Sequence, residues 1–194
     1  VGIIGAGCSG LMFAMYARHL GASTAIFNRG QMRRDFARKQ QLVSQDEIYA
    51  FNDAKAHLNM FDIVIVGSTI ITQDILSIAA NLTVSGGAVM IYGGTREGDK
   101  FLTTEVDIDV VRRRELIQTT VYQQQTLRIC GAYGCYKEDY EESFRLHSSF
   151  PEQFPLEKLV YTEVEFEEFA ELVMGVASGL NDYPGKVVVR TNFD

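Results

Sequence analysis

Short apolar runs of four or five residues recur along this chain, spaced by helix-length stretches and by glycine turns. Residues 1–4 form the first run and pass directly into glycines at positions 5, 7 and 10. Residues 11–20 are apolar nearly all round, which predicts a helix wedged between a sheet and another layer, with Gly21 as its C-cap. Residues 23–27 predict a second strand, with Asn28, Arg29 and Gly30 as the turn at its carboxyl end. A basic helix follows over 31–41, and Leu42 and Val43 read as a short third strand. Residues 46–60 carry Ile48, Phe51, Ala54 and Leu58 at helical spacing and predict a crossover helix.

The pattern then repeats. Residues 63–66 form a continuous apolar run of the buried parallel-strand kind, broken by Gly67, Ser68 and Thr69. A helix over 73–82 leads through a turn at Gly86-Gly87 into a buried strand over 88–92, which ends at Gly93-Gly94. After a polar loop at 96–100, residues 106–117 predict a helix around Arg112, Arg113 and Arg114, a run that reads as a solvated face. Residues 126–130 predict a sixth strand at one edge of the sheet, and 138–146 its following helix. The texture changes at the proline-punctuated linker 150–155, after which come a strand over 159–162, a helix over 166–177 and a strand over 187–190. Alternation of this sort favours a doubly wound α/β architecture, a right-handed parallel sheet with helices on both faces.

The glycines give the first strand a chemical meaning. A strand, a GxGxxG turn and a helix start, in that order, make a dinucleotide-binding fingerprint. Gly5 permits the tight turn, Gly7 lets a pyrophosphate approach the backbone, and Gly10 lets the helix pack closely on the strand. Cys8, Ser9 and Gly10 would then offer free amides to phosphate. An acidic residue at the end of the second strand, about 20 residues beyond the glycines, accepts from a ribose 2′-hydroxyl in NAD-binding chains. Asn28 holds that position here, followed by Arg29, with Arg33 and Arg34 one helical turn on. Replacing a carboxylate by cations suits a 2′-phosphate, and so NADP rather than NAD. Gly67 and Ser68, at the carboxyl end of the strand over 63–66, complete the expected cofactor-binding set.

Composition narrows the partners. The apolar fraction of 46% and charged fraction of 22% are those of an ordinary globular domain. A length of 194 residues suits one main domain, with 1–150 as a dinucleotide-binding unit and 151–194 as an appendage. The net charge of -7 opposes binding to nucleic acid or anionic lipid. The apolar run over 63–71 is too short to span a bilayer, and no signal sequence opens the chain, which predicts a cytoplasmic location. Cys8, Cys130 and Cys135, with His19, His57 and His147, form no CxxC or HxxxH pair, so no zinc site is readable. Cys8 stands at a helix start, where a thiol pKa can be depressed, although packing explains it better. The chain starts on its first strand without an initiator methionine, which predicts an excised domain.

GAGCSG at 5–10, FDIVIVGS at 61–68, GGAVMIYGG at 86–94 and LRICGAYG at 127–134 together resemble the medium-chain dehydrogenase/reductase superfamily, the zinc-type alcohol and polyol dehydrogenases among them. PLEKLVYT at 155–162 and GKVVV at 185–189 look like the segment in which such chains return to their catalytic domain. The resemblance implies a Rossmann sheet with a short C-terminal βαβ appendage, a nicotinamide cofactor bound for hydride transfer to or from a small alcohol, polyol or sugar, and a homodimer. In the family the zinc ligands and most of the substrate pocket lie in an N-terminal domain to which nothing here corresponds. The isolated chain is therefore expected to bind cofactor and turn nothing over. A methyltransferase shares the sheet and glycine turn but ends its second strand in a carboxylate, which Asn28 is not. A non-catalytic nucleotide-sensing or interaction domain is the remaining reading. Strand 126–130 carries one charge and no proline, so as an exposed edge it would pair with its copy across a two-fold axis.

Overall fold

Alternate residues of a strand face opposite sides of a sheet, and here both sides are apolar, so both must be covered. The computed structural model describes residues 1–180 and 182–191. Strand β1 (Gly2–Ile4), helix α1 (Cys8–His19), β2 (Ala25–Asn28), α2 (Gln31–Lys39), β3 (Ile48–Ala50), β4 (Phe61–Val66), α3 (Gln73–Leu82) and β5 (Thr83–Ile91) build the first part. They are followed by α4 (Ile108–Arg113), β6 (Ile117–Tyr122), β7 (Gln125–Gly131) and α5 (Lys137–Ser149). The seven strands lie in the order β3-β2-β1-β4-β5-β7-β6. All pair in parallel except β6 with β7. Ile3, Ile26, Ile48 and Ile65 pack on one face against Leu11 and Met15 of α1 and Phe36 of α2. Ile4, Phe27, Val64 and Val89 pack on the other against Ile75 and Leu76 of α3 and Val111 of α4.

This is the expected Rossmann-like α/β fold, and its C-terminal appendage is also present. Strand β8 (Val160–Glu165) and β9 (Lys186–Arg190) form a separate parallel pair, with α6 (Phe169–Ala177) between them in sequence. Among the described residues no helix is long and apolar enough to cross a membrane.

Four local expectations are corrected. The crossover helix over 46–60 is instead strand β3 between two 3-10 turns, Gln45–Glu47 and Phe51–Ala56. Phe51 and Ala54 keep their three-residue spacing within the second 3-10 turn, whereas Ile48 completes the sheet beside Ile26. Leu42 and Val43 form no strand and are buried in a turn after α2. Gly86-Gly87 does not begin a new strand but lies within β5, where the register against β4 slips between Phe61↔Thr83 and Ile63↔Ala88. Gly86 has φ +86°, and a side chain at Gly87 would stand 2.6 Å from Thr83, so the glycines make a bulge that the strand runs through.

The fourth correction removes the expected dimer edge. The helix over 106–117 stops at Arg113, and IQTTVY forms β6, which pairs along the whole of β7 in an antiparallel hairpin. Strand β7 contains the stretch 126–130 and so lies inside the sheet, between β5 and β6. Its amides are taken on both sides, and it is not available to a second copy.

Candidate functional site

Strand order reverses on either side of β1, because β2 and β4 flank it while the chain passes to opposite faces, and ligands of open α/β sheets bind at the carboxyl ends of the strands at such a point. A cleft of about 280 Å³ opens there. It is lined by the ends of β1, β2 and β4 and by Phe51, and it brings together Gly5, Gly7, Asn28, Arg29, Arg33, Gly67 and Ser68 of the expected set. Among the described residues no carboxylate is in the lining. Cys8, Ser9 and Gly10 stand beside it as the first residues of α1.

The turn is held by backbone bonds from its neighbours: the Gly5 amide donates to Phe27 O at 2.9 Å and the Gly67 amide to Ile4 O at 2.9 Å. Gly5 has φ +112°, which side chains rarely adopt. A Cβ at position 10 would lie 1.9 Å from Gly5 O, so the start of α1 is pressed directly onto the turn. No side-chain oxygen caps α1 and its first turn has no acidic residue, leaving the positive end of a 12-residue helix open to an anion.

Asn28 has a different place from the one its position suggests. Its side chain is buried: Oδ1 accepts from the Ala6 amide at 3.0 Å, and Nδ2 donates to Gly30 O at 2.8 Å. It ties the end of β2 to the glycine turn. Arg34 supports the same corner, donating to Asn28 O at 2.6 Å and Arg29 O at 2.9 Å. Arg29 lies over the Phe51 ring, 4.8 Å from its centroid. Arg33 reaches the glycine turn, its Nη1 3.3 Å from where a Gly7 Cβ would be, and its Nη2 donates to Asp182 at 2.9 Å. The two arginines expected together thus rest against different walls of the cleft.

Burial pushes the Cys8 thiol up, and Lys186 and Arg33 nearby only moderate this, so Cys8 is a packed thiol and not an activated one. Phe51, Asp182 and Lys186 escaped the sequence reading. Phe51 lies in a stretch whose spacing predicts a helix, Asp182 is remote in sequence with no motif around it, and Lys186 falls in the GKVVV stretch, which points to a connection and not to the cleft.

The loops at the carboxyl ends of β5 and β7 are also fixed by charge. Thr95 donates to the buried Asp109 at 2.7 Å, and Arg113 donates to the same carboxylate at 2.9 Å. The Thr95 hydroxyl and then Arg113 hold the Asp109 carboxyl below the usual range, against the opposing effect of desolvation. Glu115 accepts from the amides of Tyr133 and Gly134 at 3.1 and 2.7 Å and from the Tyr136 hydroxyl, which lowers its pKa. Arg112 donates to Tyr92 O and lies over Tyr133. The arginine run is therefore only partly a solvated face: Arg112 and Arg113 are structural. Among the described residues no group of three His, Cys, Asp or Glu is placed to hold a metal ion.

Solved structures with the same architecture include a 2R,3R-butanediol dehydrogenase from Bacillus subtilis, with a TM-score of 0.66, 17% identity, and coverage of 98% of this chain and 50% of that one. The fold is that of alcohol and polyol dehydrogenases. An acetophenone reductase from Geotrichum candidum, solved in complex with NAD, matches with a TM-score of 0.65 at 20% identity over 98% of this chain and 48% of the other. TarJ of S. aureus, solved in complex with NADPH, matches with a TM-score of 0.64 at 18% identity over 97% of this chain and 54% of the other. The chain spans about half the length of these structures. No protein-family model and no curated protein matches its sequence.

Proposed function

We propose that the chain is the cofactor-binding part of an oxidoreductase acting on a small alcohol, polyol or sugar, and that it prefers NADP to NAD. The observation that carries this reading is the glycine cradle itself: a side chain at position 10 would collide with Gly5 O at 1.9 Å, beneath a cleft whose lining, among the described residues, has two arginines and no carboxylate. The residues present fit a dinucleotide. Gly5, Gly7 and the first amides of α1 would hold its diphosphate, with Gly67 and Ser68 forming the wall opposite. Arg29, braced on Phe51 at the end of β2, would face the adenosine ribose and its 2′-phosphate. Asn28 would act indirectly, by holding the turn and by keeping a negative charge away from that phosphate.

When bound, the nicotinamide ring supplies two-electron redox chemistry. This chain contributes binding and orientation, while zinc and substrate contacts belong to another part of the protein. Residues 151–194 are assigned to the connection with that part.

Calorimetric titration with NADPH and NADH tests the reading. A charge-assisted contact to the 2′-phosphate is worth about 1.5–3 kcal/mol, so NADPH should bind roughly tenfold to a hundredfold more tightly. Arg29→Ala should abolish that difference. Equal affinities in the wild type refute the NADP preference, and no binding of either cofactor, by the wild type or with Asp182 neutralised, refutes the function.

A further inference from the structure

Arg33 stands between two acceptors. It is in the first turn of α2, with its side chain one-third exposed (33%), and its guanidinium spans from the glycine turn to the C-terminal segment. One end, Nη1, lies over Gly7, and the other, Nη2, is paired with Asp182. The same helix anchors that segment one turn further on. A Cβ at Gly185 would lie 2.6 Å from the Phe36 ring and 2.5 Å from Leu159 O, so only glycine allows β9 to come this close to α2. Tyr161 packs edge-to-face with the Phe36 ring, centroids 6.0 Å apart, and Tyr183 packs in turn on Tyr161 at 5.9 Å. Asp182 is therefore brought to Arg33 by a packed contact three residues away.

A guanidinium over the glycine turn is placed for a diphosphate, yet its fork already carries a carboxylate. A diphosphate seated on the turn would compete with Asp182 for those donors and be repelled by it. We propose that Asp182 is a displaceable internal counter-ion of Arg33: it holds the arginine over the glycine turn, gives it up when a diphosphate arrives, and so sets the affinity of the cleft. This rests on the dinucleotide reading above and adds to it a residue from the C-terminal segment. Asp182 is largely exposed (65%), so the pair is screened and its effect is modest.

The test is titration of the chain, of Asp182→Asn, of Arg33→Ala and of the double variant with NADH, NADPH and ADP, all of which carry the diphosphate. Exposed pairs of this kind couple weakly, so Asp182→Asn should tighten all three ligands by about two- to fivefold. The gain should disappear in the Arg33→Ala background. Wild-type binding that Asp182→Asn leaves unchanged or weakens would overturn the proposal while the dinucleotide reading stands. An equal gain without Arg33 would reduce it to general charge, and a gain confined to NADPH would move Arg33 to the 2′-phosphate; either overturns it. If neither wild type nor any variant binds, both readings fail. Binding by Asp182→Asn alone would support both.

Discussion

Gly10→Ala sets two physical effects against each other. Position 10 lies inside α1, where alanine is a better helix former than glycine by about 1 kcal/mol, so propensity alone predicts stabilisation. The new Cβ, however, would stand 1.9 Å from Gly5 O, where real Cβ atoms stay beyond 3.0 Å. The start of α1 would have to move off the turn by more than about 1 Å in a packed region, and overpacking of that sort costs about 1–3 kcal/mol and sometimes more. The contacted atom is backbone in a turn already fixed by Phe27 O, so it cannot swing aside. We expect a net loss of about 1–2 kcal/mol, which lowers Tm by about 2–8 °C in a chain of this size, together with loss of dinucleotide binding. Gly7→Ala is the contrast, because its Cβ would meet only the end of Arg33 at 3.3 Å. It should be near wild type in stability and weakened in binding. Gly30→Ala, with φ −72° and nothing nearer than 3.7 Å, should change neither. Urea unfolding followed by circular dichroism, beside calorimetric titration, measures both properties. A Gly10→Ala variant as stable as wild type that still binds cofactor would refute the reasoning.

Asn28→Asp keeps an acceptor for the Ala6 amide but turns the donor facing Gly30 O into a second acceptor, so it should cost about 1–3 kcal/mol by urea unfolding; an unchanged midpoint would show that these bonds do not hold the turn. Asp109 has a pKa below the usual 3.8, so its ionised form stabilises the fold above that value and the contribution is lost as pH falls from there through the lowered folded value. Unfolding midpoints should therefore fall more steeply below about pH 4 in the wild type than in Asp109→Asn or Thr95→Val, and identical acid slopes would argue against it. Ile129→Pro removes an amide from a strand paired on both sides, so it should leave the chain unfolded or insoluble, and a soluble, folded product would place β7 back at an edge.

The parts of the fold that sequence reveals are those in which a local pattern and the tertiary demand coincide. Residues 73–82 carry a helical period and become α3 with the same limits, and the continuous apolar runs become the inner strands β4 and β5. The failures have local physical causes. The hairpin β6–β7 turns through Gln123 and Gln124, both at positive φ (+46° and +69°), without the Asn-Gly or Asp-Gly pair that signals such a turn. With that signal absent, nothing in the sequence marks 118–122 as a strand and the helix expectation reaches Ile117, so one missing strand moves the expected sheet edge from β6 to β7. Strand β3 was hidden because three residues between two 3-10 turns are too few for period-two alternation to show.

The site divides along the same line. Glycines act through the absence of a side chain, and their spacing on the chain is itself the geometric statement, so Gly5, Gly7 and Gly10 could be read in advance. A polar residue acts through whatever it touches, which a linear sequence does not display. Asn28 was read outward, toward a ribose, because a carboxylate at that position would face one; its amide instead faces inward, spent on Ala6 and Gly30. On the proposed reading, charge selection at the cleft would fall to side chains other than Asn28. Arg34 is tied to the backbone, Arg29 rests on the Phe51 ring, and Arg33 is paired with Asp182, the carboxylate that a diphosphate is proposed to displace. On the proposed reading, the rigid glycine turn would supply the shape that any dinucleotide shares, Arg33 would meet the diphosphate common to both cofactors, and Arg29 alone would supply the discrimination.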